Sequence, residues 1–232
     1  MKKNSIVFLF LCLLIMGCSK NEISYFPLNK GFKWQYDVAL INRDGLSNQK
    51  YILNNLGKSK LNGEEVYLRR SLDDSLLYYT VSDEGIFYKG NINSQNINPE
   101  FKENYQLVIP GELSVGVKWE ESTTTKLLQK TGPPQKTVFK IIARVPLDVK
   151  IESLSETVIV PAGRFENCLK ISMEGFVFKD AGNYIGLTMI SVEQTNWYAP
   201  GIGLVKMERL ETTERKALDK GTLLVELARF EP

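Results

Sequence analysis

Apolar and polar residues alternate with a period of two along most of the chain, the pattern of extended strands with one face in a core and the other in water. Trp34, Tyr36, Val38 and Leu40 alternate with Lys33, Gln35, Asp37 and Ala39 and predict a first strand. A turn at Asp44-Gly45 and a second strand over 51–60 follow. Asn62-Gly63 then stands between that run and 64–72, and Asn-Gly predicts a tight hairpin because both residues tolerate positive φ. Runs at 76–81 and 85–89, joined by Ser82-Asp83-Glu84, predict another hairpin, and Asp73-Asp74-Ser75 reads as a solvated turn. Residues 91–104 are rich in Asn and Gln and carry Pro99, which predicts a loop or a short weak helix.

The second half repeats the pattern. Strands over 123–129 and 137–145 flank Thr131-Gly132-Pro133-Pro134, and Phe139, Ile141, Ala143 and Val145 share a face. Leu147, Val149 and Ile151 continue the alternation after a bend at Pro146. Shorter strands are expected over 156–160, 169–173 and 176–178, then longer ones over 185–198, 204–211 and 222–230. Nowhere do apolar residues recur at helical spacing over three turns, so little helix is expected. The chain thus predicts a single all-β domain of about ten to twelve antiparallel strands in meander order. Open twisted sheets rarely exceed ~10 strands, so this one must curve strongly, as a half-barrel or a barrel. The spacing L-x-x-G-x-K-W occurs twice, at Leu28, Gly31, Lys33, Trp34 and at Leu113, Gly116, Lys118, Trp119. Each is a turn glycine followed by a strand whose tryptophan faces in. The flanking segments do not align over a full repeat, which favours two similar strand openings over a duplication.

The N-terminus departs from this alternation. Lys2 and Lys3 precede an uncharged apolar run over 6–16, the charge order of a secretory signal and too short for the ~20 residues of a spanning helix. Ile15, Gly17 and Cys18 then resemble the lipobox of bacterial lipoproteins. The resemblance implies cleavage between Gly17 and Cys18, and acylation of Cys18 on its sulfur and its amine. Several buried chains make membrane residence close to permanent. Ser19 after the cysteine resembles lipoproteins sorted to the outer membrane, which implies a domain facing the periplasm. The expected organisation is a signal peptide over 1–17, a short tether over 18–24 and one β-rich domain over 25–232. Between Ser19 and the strand-like sequence near Tyr25 the tether spans roughly 25 Å at most, so the domain sits close to the bilayer.

Charge and composition then narrow the chemistry. Loss of Lys2 and Lys3 with the leader lowers Lys plus Arg from 29 to 27, against 27 Asp plus Glu. A balanced surface argues against nucleic acid, which calls for a basic patch. The sequence has no histidine, which excludes Ser-His-Asp and Cys-His nucleophile pairs, His-ligated zinc and histidine proton shuttles. Of three cysteines, Cys12 leaves with the signal and Cys18 is committed to lipid. Cys168 is left without a disulfide partner in the chain. It reads as a small buried hydrophobe, or alternatively as an exposed thiol.

Two motifs carry a second resemblance: Pro161-Ala162-Gly163-x-Phe165-x-Asn167-Cys168, and Trp197-Tyr198-Ala199-Pro200-Gly201-Ile202-Gly203-Leu204-Val205-Lys206. Together they resemble a group of bacterial lipoproteins that share both motifs, and what the resemblance implies is a fold with no assigned activity. By a looser likeness, such curved sheets resemble the half-barrels of envelope lipid carriers. The motif residues themselves read as structural. Gly163, Gly201 and Gly203 supply positive φ, Pro161 and Pro200 fix strand starts, and Trp197 and Phe165 fill local core. Ser47-x-x-Lys50 lacks the helix and companion motifs of a penicillin-binding enzyme. Gly201-x-Gly203 precedes no helix and is not a dinucleotide loop, and no D-x-D-x-D-G calcium spacing is present.

No cofactor, no metal and no catalytic residue is therefore expected. The sequence points to a non-enzymatic, membrane-anchored envelope lipoprotein whose curved sheet binds a hydrophobic ligand, a lipid or a peptide. The alternative is a scaffolding lipoprotein that recruits an envelope protein complex through a sheet edge. Hydrolysis by paired carboxylates is a distant third.

Overall fold

The structure, a computed structural model, describes residues 24–93, 96–133, 137–182 and 186–232. Its strands are β1 (Lys33–Asn42), β2 (Gly45–Leu61), β3 (Glu64–Ser71), β4 (Leu76–Ser82), β5 (Gly85–Asn93), β6 (Asn96–Pro110), β7 (Lys118–Thr124), β8 (Gln129–Gly132), β9 (Thr137–Lys140), β10 (Arg144–Val160), β11 (Gly163–Asp180), β12 (Leu187–Ala199), β13 (Gly203–Thr213) and β14 (Lys220–Glu231). A single 3-10 turn, Lys216–Leu218, is the one helical element among the described residues. Twelve strands form one antiparallel sheet in the order β6-β5-β4-β3-β2-β1-β14-β13-β12-β11-β10-β7, while β8 and β9 pair only with each other.

Chain connectivity forces this sheet to curl. Its two edges, β6 and β7, are consecutive in sequence, and only residues 111–117 join them. Laid flat, twelve strands spaced ~4.8 Å apart would hold those edges about 53 Å from each other, whereas the connection reaches about 28 Å fully extended. The sheet therefore closes on itself. The edges meet at a seam with no backbone ladder, where the Leu107 amide of β6 donates to a Glu121 carboxylate oxygen of β7 at 2.6 Å. Bulges in the β2/β3, β4/β5, β5/β6, β10/β11 and β12/β13 pairings supply much of the curvature.

The two copies of L-x-x-G-x-K-W open the two halves of this barrel. One precedes β1 and the meander β1 to β6; the other precedes β7, which with β10 to β14 forms a second set of six. Gly31 and Gly116 have φ of 96° and 92°, and each donates its amide to a neighbouring carbonyl, Asn55 or Ile151. The halves differ where they meet. β1 and β14 share a ladder, whereas no backbone ladder joins the described residues of β6 and β7.

Most predicted elements form, with differences that have local causes. Asn62 and Gly63 both take positive φ, as the hairpin requires. Residues 96–104 are strand rather than loop or helix. Pairing with β5 overrides the Asn-rich composition, and Pro99 is tolerated because β6 is an edge strand. Pro146 does not bend the chain: β10 runs through it, paired there to Ser122 of edge strand β7. The predicted pieces 156–160 and 169–178 belong to the long strands β10 and β11. Gly175 has a packing reason, since a Cβ there would run into the Pro146 carbonyl oxygen.

The core lies inside the barrel. Val145, Leu147, Val149 and Ile151 of β10 face Leu169 and Ile171 of β11 and Ile190 and Val192 of β12. Leu127, Leu128, Ile141 and Ala143, on the chain between β7 and β10, fold back onto this core. At the other end Phe26 enters from the N-terminal segment. The outer face is charged: Arg70, Lys118, Asp148, Glu193, Glu208 and Arg229 are all exposed. On a lipid-facing wall each Arg or Lys would cost ~2–4 kcal/mol near mid-bilayer and each Asp or Glu somewhat less, so this barrel wall faces water.

Candidate functional site

Between the two six-stranded halves the inward side chains leave a cavity of about 300 Å³. The first half contributes Tyr36, Leu53, Arg69, Leu77, Tyr79 and Tyr88, and the second Trp119, Glu121, Met173, Asn196 and Tyr198. Strand alternation places them. Trp119 and Glu121 lie opposite Val149 and Leu147, both in the core, and Asn196 and Tyr198 sit two apart on β12. Leu107 and Glu121 line the cavity as well, so it lies directly behind the seam. Its volume is at the lower end of the ~300–1,000 Å³ usual for small-molecule sites.

The dominant polar group is Arg69, 6% exposed. Its Nε donates to Asn55 Oδ1 at 2.8 Å and its Nη2 to the Pro27 carbonyl at 2.8 Å, which also accepts from Asn55 Nδ2 at 3.0 Å. The guanidinium carbon lies 3.8 Å from the Phe26 ring centre, 4.8 Å from Trp34 and 5.3 Å from Tyr79. Among the described residues no carboxylate is within ion-pair distance of it. Three ring faces thus stand where a counterion would be expected, and they offset part of the cost of burying the charge. Burial pushes the Arg69 guanidinium down from the usual arginine value, opposed by Tyr79, Tyr36 and Tyr198, but arginine starts so far above neutrality that it stays charged.

The phenols around it are hydrogen-bonding groups rather than bases. Burial drives Tyr36 and Tyr79 up and Tyr198 up to about 12. Tyr36 donates to the Leu204 carbonyl at 3.0 Å, and Tyr198 accepts from Asn196 at 3.1 Å. The indole Nε1 of Trp119 is buried with no hydrogen-bond partner. Further along the interior, Arg209 donates to Glu211 and Gln194, and the fully buried Glu211 carboxylate also accepts the Lys126 and Leu127 amides. That network fixes the folded-back segment in place.

A second hollow of about 330 Å³ lies on the outer face between β1, β2 and β14. It is bordered by the Lys50–Asp37 ion pair and Glu226 and open to water. The interior cavity is the better candidate because buried polar groups and aromatic rings converge on it. Among the described residues no cluster of acidic and cysteine side chains could hold a metal.

The residues singled out from sequence divide by location. Gly17 and Cys18, with the rest of the predicted signal and most of the tether, lie outside the described residues. Trp34 is 1% exposed and donates to the Ile202 carbonyl at 2.7 Å. Trp119 lines the cavity. Trp197 is half-buried against the cluster that holds Trp34 and Cys168, with Lys170 and Lys206 over its ring, and its neighbour Tyr198 lines the cavity. Gly163, Gly201 and Gly203 have positive φ. Pro161 and Pro200 end strands β10 and β12 rather than starting strands, since each opens a two- to three-residue turn where its fixed φ suits the first corner. Phe165 is half-buried against the cluster that holds Cys168. Cys168 itself is fully buried, its thiol directed to the Phe165 carbonyl and pushed up to about 11 by burial.

Both turns dock the N-terminal segment. The Gly201 amide donates to the Ser24 carbonyl at 2.9 Å, and Tyr25 donates to the Asn167 carbonyl at 2.9 Å. Gly203 lies under Pro27, where a Cβ would press on the proline ring. Arg69 was not singled out from sequence. The signal was present, because two adjacent arginines within one strand, Arg69-Arg70, must put one on each face.

A family model described as DUF3108-like matches residues 80–217. The fold is similar to that of a protein from Bacteroides fragilis, provisionally described as exported and with a YmcC-like fold, at 14% identity and a TM-score of 0.38; the match covers 89% of this chain and 98% of that one. It is also similar to a protein from Parabacteroides distasonis, provisionally described as a lipoprotein, at 13% identity and a TM-score of 0.42 with the same coverage. No curated protein matches the sequence.

Proposed function

The chain belongs to the DUF3108-like family, and from that premise we propose that it is a lipid-anchored bacterial envelope protein, without catalytic activity, that holds an apolar ligand inside its barrel. The observation that carries this reading is the interior cavity, walled by Leu53, Leu77, Tyr79, Met173 and Tyr198. A ligand that fills it withdraws its own apolar surface and that of the wall from water, for roughly 25 cal/mol per Å² of apolar area. The seam supports access, because β6 and β7 can part without breaking a backbone ladder.

The position of the anchor supports the rest. Ser24 is tied to the turn that follows β12, and Cys18 lies six residues upstream, within roughly 21 Å of extended chain. The end of the barrel bearing the turns at 161–162 and 200–202 then faces the bilayer, with exposed Ile159 beside it. Residence at the outer membrane, facing the periplasm, is the placement Ser19 favours.

A test of the cavity uses the soluble domain from Ser24 with the apolar fluorophore N-phenyl-1-naphthylamine. Leu77→Trp fills cavity space, and about a tenfold loss of affinity is expected with the circular dichroism spectrum unchanged. Equal binding by wild type and variant would place the probe elsewhere and reject the cavity as the site. A scaffolding reading has one observation of its own: β11 beyond Glu174 has no β10 partner and exposes Phe176 and Phe178. A photo-crosslinker at Phe178 that captures a protein, with one at Leu77 capturing no lipid, would favour it.

A further inference from the structure

The polar groups around the cavity say what kind of apolar ligand fits. We infer that the ligand carries an anionic head, bound between the Arg69 guanidinium and the Trp119 indole N–H, with its apolar chain along Leu53, Leu77 and Met173. This deepens the cavity reading proposed above and rests on it.

The cavity wall carries one unpaired charge and one donor without an acceptor. Arg69 is a buried cation whose bonds go to neutral acceptors, Asn55 and Pro27, and whose charge meets ring faces in place of a carboxylate. Buried charges are ordinarily paired, and an anion delivered to this wall would complete the pair. Trp119, from the other half of the barrel, lines the same cavity, and its indole N–H is buried and has no acceptor. Buried donors without partners are rare in native interiors and call for a reason. An anionic ligand would supply a countercharge to Arg69 and an acceptor to Trp119.

Glu121 is the single carboxylate on the cavity wall among the described residues. It is drawn to the seam, where it accepts the Leu107 amide, and it makes no ion pair with Arg69. Tyr36 donates to the Leu204 carbonyl, and Gln194 is held by Arg209. The net demand of the interior is therefore for negative charge, beside walls that are otherwise apolar.

Carboxylate and phosphate heads share this chemistry, and binding measurements separate them. Calorimetry at pH 8, where a carboxylic acid is ionised, compares decanoate, decyl phosphate and decanol. At least one anion is expected to bind about tenfold or more tightly than the alcohol, as a charge-assisted hydrogen bond provides, and the tighter of the two identifies the head. Arg69→Gln is expected to bring that anion to the level of decanol, with Arg69→Lys retaining part of the preference. Arg69 also clamps Pro27, so Trp119→Phe serves as an independent variant. It removes a donor that has no partner in the protein, and should lower stability only by the packing volume lost while weakening the anion, not the alcohol, roughly threefold to tenfold. Decanol binding as tightly as both anions, or Trp119→Phe weakening all three equally, overturns the anionic head and leaves the apolar cavity standing. Failure of all three probes to bind overturns both.

Discussion

Trp34→Ala is expected to lower the unfolding free energy by roughly 4–5 kcal/mol, the upper range for large-to-small changes in a core. Trp34 is 1% exposed, stacks near Phe32 and Phe230, lies over Arg69, and ties β1 to the turn at Ile202 through a 2.7 Å hydrogen bond. Its loss empties the base of the barrel and strips one ring from a buried cation. Trp34→Phe keeps most of the volume and loses the hydrogen bond, for an expected ~1–2 kcal/mol. Urea unfolding followed by circular dichroism measures both. An alanine variant within 1 kcal/mol of wild type would mean that the first strand is not part of the cooperative core.

Glu211→Leu carries the second large effect, about 3–5 kcal/mol. The carboxylate is fully buried and accepts from Lys126, Leu127 and Arg209. Removing it leaves two amides and a guanidinium facing leucine. The double variant with Arg209→Met takes away the stranded charge and should recover part of the loss, which a double-mutant cycle reads directly. A double variant less stable than the sum of the singles would contradict the pairing.

The strands were legible because alternation in this chain is seldom interrupted, and the hairpin at Asn62-Gly63 because its φ demands admit few residue pairs. Closure was legible only as a necessity of strand number. Which edges meet depends on β7 crossing to β10, and no local pattern records that. Bulges hid the true lengths of β10 and β11, since each shifts the alternation by one residue and a shifted strand reads as two. The motif at 197–206 was visible, and its Trp197 packs against a core cluster as expected, but that its neighbour Tyr198 lines the cavity was not, because aromatic size does not reveal which face of a strand meets which cluster. The cavity was least legible of all. Arg69, Trp119 and Tyr198 come from strands far apart in sequence, and only the closed sheet brings them together.

Intact mass spectrometry of detergent-extracted material reads the state of the native protein in its membrane in one spectrum. The expected mass is that of a chain beginning at Cys18 with diacylglycerol and acyl additions, accompanied under native conditions by an acidic apolar adduct that disappears on denaturation. An unmodified chain beginning at Met1, with no adduct under native conditions, would contradict both the anchor and the occupied interior.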